Sequence, residues 1–354
     1  MKMHLHRYTF HSLRALLILA VNLLWALPTL ATTLTAEQAY QKGKILHFQD
    51  RFEEAEPYLL QAGESGNAAA YYLVATSDSY NRFSMSSQEF EYRTKAAENG
   101  HLLAMLGLIG DRSKASSSQK KMWRKRFLNA LGPQIEERNP FAMVLKSRLY
   151  FKEDSISMYV ESLKNAAYAG YPRAQWEIAR RFESGEGWFF LPGSREKEVA
   201  KLYEASARGG YHDAIWYIGA TMIEKGEIDA GIRYLQPIFS SGNTSILSTY
   251  SSLITNIFPD DHPTWKYKDP LTGTAYLKAI KESMSEESNN GANKQFYEWA
   301  KELLTTEEIQ QVDQLTDEYL STHTVYKQDG LDEYEYTVDN LHTAIERWGG
   351  NAIE

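Results

Sequence analysis

Apolar residues recur along the chain at helical spacing, and no apolar–polar alternation of convincing strand length interrupts them. The pattern also repeats. The stretch "NAAYAGYPRAQWEIA", ending at Ala179, returns as "SARGGYHDAIWYIGA", ending at Ala220, with the glycine, small residues and tryptophan at the same offsets. Looser copies surround Gly66, Gly100 and Gly242, with spacings of 34, 70, 40 and 32 residues between successive anchors. These lie within the range of helix-turn-helix solenoids, the interval of 70 counting as two units. The skipped unit is "FLNALGPQIEERNPFAMVL", with Asn139 and Pro140 at its turn.

Each offset has a physical reading. The glycine suits the left-handed position that closes a helix, where a Cβ is penalised. Four residues on stand Ala70, Ala104, Ala174 and Ala214, and four further Val74, Leu108, Ile178 and Ile218, so both rows share one face of the second helix. Before the glycine, Ala96 and Ala97, Ala166 and Ala167, and Ser206 and Ala207 allow close approach of the preceding helix. The reading is an all-α, right-handed α-solenoid over residues 32–253.

These residues resemble the Sel-one-like repeat, a relative of the tetratricopeptide repeat, most clearly in "TKAAENGHLLAMLG" and over residues 163–219. The resemblance implies a helical scaffold that binds other proteins. The chain departs from it over residues 111–139, and lacks the cysteines of a disulfide-stapled secreted branch. That branch implies an alternative function, an envelope enzyme or enzyme subunit acting on peptidoglycan or β-lactams.

After residue 254 the pattern changes. "IFPDDHPTWKYKDPLTGTA" reads as a long turn region. Helical periodicity then resumes in "AYLKAIKESM", "NKQFYEWAKELL" and "EEIQQVDQLTDEYLSTH", the last opened by a capping box from Thr305 to Glu308. Residues 254–354 are expected to form a helical, acidic C-terminal cap.

At the other end, Lys2, Arg7 and Arg14 precede an apolar run from Ala15 to Leu27, with Thr29-Leu30-Ala31 at cleavage spacing. Residues 1–31 read as a signal peptide. The run falls short of the roughly 20 residues of a membrane span, which leaves an uncleaved anchor as the minor alternative. Export places the protein in the periplasm, with no stable membrane insertion after cleavage. Removing three basic residues would take the net charge of −8 to about −11, which disfavours nucleic acid as a partner. There is no cysteine to staple the fold. The sequon at Asn243 has meaning only in a eukaryotic secretory pathway.

The search for chemistry gives no catalytic, cofactor-binding or metal site. Ser117 and Lys120 have S-x-x-K spacing but lie in the run "SKASSSQKK" without a K-T-G partner. His212 and Asp213 read as a helix start, and Asp260, Asp261 and His262 as a turn. Binding features are richer. Tyr72, Trp176 and Trp216 each fall six positions after a repeat glycine, and Arg180 follows Trp176 by one helical turn. This offset is open to two readings, the concave groove or packing between repeats. Trp188, Phe189 and Phe190 occupy a loop longer than the repeat needs, and either plug the core or protrude. From Glu286 onward sixteen acidic residues face four basic ones, as a solubilising cap or a surface for a basic protein. The function expected is a non-catalytic exported adaptor for another protein, in a specific version an immunity-type protein that neutralises a toxic effector with a basic surface.

Overall fold

The computed structural model describes residues 34–77, 84–239, 241–255, 267–289, 291–327 and 331–353. The signal-peptide reading and the Asp260–His262 turn lie outside them. The described residues form an α-solenoid without strands, in which successive helices of the array pack on one another. Helix α1 (Ala36–Phe48) opens it. Six helix pairs follow: α2 (Phe52–Glu64) with α3 (Ala68–Ser77), α4 (Ser87–Glu98) with α5 (Leu102–Ile109), α6 (Ser117–Glu136) with α7 (Pro140–Lys152), α8 (Ile156–Tyr168) with α9 (Pro172–Glu183), α10 (Ser194–Arg208) with α11 (His212–Glu224), and α12 (Ile228–Phe239) with α13 (Thr244–Ile254).

The repeat glycines do what the spacing requires of them. Gly66, Gly100, Gly170, Gly210 and Gly242 all close the first helix of a pair with φ between 76° and 112°. At the remaining turn, between α6 and α7, Arg138 takes φ 60°, and the Asn139 side chain caps α7 by accepting from the backbone N–H groups of Phe141 and Ala142. Ala70, Ala104, Ala174 and Ala214 are buried, as are Ala96, Ala97, Ala166, Ala167, Ser206 and Ala207. Small residues there let helix backbones approach closely, and Leu102, Phe127, Phe141, Leu145, Ile178 and Leu202 fill the space between pairs. The connections between pairs use left-handed residues that the repeat reading did not single out, among them Asp50, Asp154 and Gly226.

Helices α14 (Pro270–Ser283), α15 (Glu286–Asn289), α16 (Ala292–Glu302) and α17 (Thr306–Thr322) follow, with α14 packed on α13, α16 and α17. The capping box of Thr305 and Glu308 opens α17 as expected. These helices also reach the start of the array: the Ser285 N–H donates to the Gln49 carbonyl at 3.0 Å, and Ser288 bonds Asp50.

The chain then runs back along the repeats as a strap. The Gln49 amide donates to the Val325 carbonyl at 3.0 Å, and the Lys327 N–H donates to Phe48 at 2.9 Å. Further on, the Val338 N–H donates to the Gly100 carbonyl, the Asn139 amide to Leu341, the Gln175 amide to Asn351, and the Ile353 N–H to Tyr168. Tyr336, Leu341, Ala344 of α18 (Thr343–Trp348) and Ile353 thereby join the main core. Two of the acidic residues are used here. Glu333 is buried against Arg148, at 2.6 Å, and against the Tyr171 hydroxyl, while Glu335 pairs with Lys44. Burial alone would lower the Arg148 pKa, but the adjoining Glu333 and Tyr171 outweigh it and raise the value.

Candidate protein-binding surface

The residues expected to bind a partner divide by burial. Tyr72 is buried, stacked on His101 with ring centres 4.3 Å apart and beside Tyr334 of the strap. Its position six residues after a repeat glycine therefore serves packing. Trp176 is half-buried among Tyr203, Tyr211 and Tyr217, with ring centres 5.0, 6.1 and 5.7 Å away. The exposed Arg180 guanidinium lies 5.9 Å from the Trp176 ring centre. Trp216 belongs to a separate cluster with Leu235, Phe239 and Tyr250. One offset in the repeat thus leads to three environments, because the helices that meet it differ.

Beside Trp176 the Glu183 carboxylate accepts from the hydroxyls of Tyr203 at 2.7 Å and Tyr217 at 3.0 Å. Burial and Glu183 together push the Tyr203 hydroxyl above its ordinary pKa, so it remains a hydrogen-bond donor. These two tyrosines line a 500 Å³ cavity between α10 and α11.

The loop between α9 and α10 resolves the three adjacent aromatics. Phe189 turns inward onto Phe182, edge to face at 5.1 Å, under the Arg195 guanidinium at 4.7 Å. Trp188 and Phe190 turn outward and are 91% and 90% exposed, and Leu191 is 73% exposed. One aromatic of the run packs inward and two protrude. Adjacent residues on an extended backbone point to opposite sides, so one aromatic can plug while its neighbours protrude.

Arg195 makes the loop a defined shape. Its guanidinium donates to the carbonyls of Phe182 and Glu186, both at 2.6 Å, and of Gly187 at 3.2 Å. Gly185, Gly187 and Gly193 all take positive φ, which allows the tight path. Neither Arg195 nor Leu191 was singled out from the sequence, and the signal for Arg195 was only its closeness to a glycine-rich loop. Lys164 and Lys201 border a 410 Å³ hollow beside Trp188.

The chemistry-bearing candidates sit in ordinary structural places. Ser117 is the first residue of α6, behind a capping box of Ser116 and Gln119, with Lys120 one turn on. His212 and Asp213 start α11. Among the described residues no group of three or more His, Asp or Glu could hold a metal ion, and no helix is long and apolar enough to cross a membrane.

No family model and no curated protein matches the sequence. Among solved structures, the chain is similar to a protective antigen present in uropathogenic Escherichia coli strains displaying an SLR fold, at 11% identity and a TM-score of 0.43. That match covers 88% of this chain, which spans only 64% of the length of the antigen. It is also similar to a Sel1 repeat protein from Oxalobacter formigenes, at 17% identity and a TM-score of 0.33, covering 79% of this chain and 86% of that one. What the chain's own geometry establishes is an α-solenoid built from helix pairs, each closed at a left-handed turn.

Proposed function

We propose that this protein is a non-catalytic scaffold, exported to the periplasm, that binds another protein through the loop carrying Trp188 and Phe190. The observation that carries the proposal is two large aromatic side chains, 91% and 90% exposed, on a loop held by Arg195. Water opposes such exposure, and braced aromatics are the usual energetic anchors of interfaces because little entropy is lost when they are covered. An immunity-type role, in which the partner is a toxic effector, is the specific form of this reading.

The test is affinity capture from the native envelope fraction with the wild-type chain and with the double variant Trp188→Ala, Phe190→Ala. A stoichiometric partner retained by the wild type and lost by the variant supports the loop as the binding surface. If that partner is toxic when exported alone and harmless when co-exported with this chain, the immunity-type role follows. Equal capture by both proteins would remove the loop from the binding surface.

A further inference from the structure

A second cavity lies away from the aromatic loop. It is a groove of 570 Å³ whose walls come from α4, α5, α7, α8 and α9. Its apolar lining includes Leu106, Val144 and Leu163, and its rim carries Phe151, 58% exposed, with Tyr159 5.3 Å away. Although the chain as a whole is acidic, five cations meet in this groove: Arg93, Arg112, Arg148, Lys152 and Arg173.

Arg93 and Arg148 are committed within the fold. Arg93 holds Glu89 at 2.8 Å, both side chains being buried, and Arg148 holds Glu333. Lys152 and Arg173 are exposed and make no ion pair within 4 Å among the described residues. The Lys152 ammonium rests over Gly110, where a Cβ would lie only 3.1 Å from Nζ. Partial removal of the ammonium from water, followed by the nearby charges of Arg93 and Arg112 and opposed by Asp111, lowers its pKa.

We infer that this groove is a binding site for an acidic peptide segment, with Lys152 and Arg173 receiving its carboxylates and Phe151 covering an adjacent apolar side chain. Two features favour a peptide over a small inorganic anion. The groove is far larger than such an ion, and its lining is partly apolar. The chain also supplies a precedent, since the strap seats the Glu333 carboxylate on Arg148 and Tyr171. The site is independent of the loop assigned above.

Panning a random decapeptide display library against the full chain tests the inference. The expected result is enrichment of Asp and Glu within a few positions of Phe, Trp or Leu. A synthetic peptide of the enriched sequence should bind about tenfold more weakly to Lys152→Glu and to Arg173→Glu, and more weakly as salt is raised. Phe151→Ala should weaken binding without changing its salt dependence. All three side chains are exposed, so unchanged circular dichroism and melting serve as folding controls. The double variant Trp188→Ala, Phe190→Ala should bind the peptide as the wild type does, which separates this site from the loop. Absence of acidic enrichment, undiminished binding to both charge-reversed variants, or displacement of the peptide by submillimolar inorganic phosphate would overturn the inference.

Discussion

His101 has a defined protonation state. Its Nδ1 accepts the Ala104 backbone N–H at 3.2 Å as the cap of α5, so the proton resides on Nε2, which donates to the Tyr334 carbonyl at 2.7 Å. Burial is the main cause of its pKa falling to about 4, and burial likewise takes His47 to about 4. Between about pH 6.5 and 4 the unfolded chain binds protons that the folded one refuses, so stability rises with pH in that window and is lost on acidification. Each histidine contributes at most about 3 kcal/mol of this change. Denaturant midpoints across that window should fall on acidification, and His101→Asn, which keeps a capping side chain, should flatten the slope. Two glycines offer a second comparison. Both Gly170 and Gly210 take positive φ, but a Cβ at Gly210 meets nothing within 4 Å, whereas at Gly170 it would lie on the Trp348 carbonyl oxygen and crowd Ala352. Gly210→Ala should cost about 1–2 kcal/mol, the left-handed penalty alone. Gly170→Ala should cost more than about 3 kcal/mol, because the strap must also shift. Chemical denaturation of both variants measures the difference.

At the scale of an element, the loop between α9 and α10 separates stability from binding within three residues. Phe189 packs on Phe182, whereas Trp188 and Phe190 pack on nothing comparable. Phe189→Ala should therefore lower stability by about 2–3 kcal/mol, toward the low end for a half-buried aromatic. Trp188→Ala and Phe190→Ala should each change it by less than about 0.5 kcal/mol. Thermal melting separates the two classes, and loss of partner capture should follow the opposite order.

Across the whole molecule, the strap joins the repeats to one another and the first turn to the C-terminal helices. A plain solenoid has contacts only between neighbours and can fray from its ends. Here Ser285, Val325 and Lys327 hold the turn after α1, so fraying must break contacts distant in sequence. Glu333→Gln leaves the Arg148 charge without its carboxylate in a buried place, and should destabilise the protein by about 3 kcal/mol. Glu335→Gln, at the more exposed pair with Lys44, should cost less than about 1 kcal/mol. Equal effects in urea denaturation would mean that the strap does not depend on its buried pair.

Local chemistry was legible in the chain wherever one residue type is needed at one place. The left-handed glycines, the alanines of the seam, the cap at Asn139 and the box at Thr305 follow from backbone sterics and from unsatisfied helix ends, which act over a few residues. Those rules determined the helix pairs and their stacking. They did not determine which aromatic of a repeated offset would be buried, since Tyr72, Trp176 and Trp216 stand at one position but meet different neighbours. Nor could they tell that Glu333 would be drawn inside while most of the acidic tail stayed in water. The return of the strap, the outward turn of Trp188 and Phe190, and the gathering of Lys152 and Arg173 at one groove all depend on residues brought together across separate helices. Burial and charge pairing at such distances are properties of the assembled fold, and only the tertiary structure decides them.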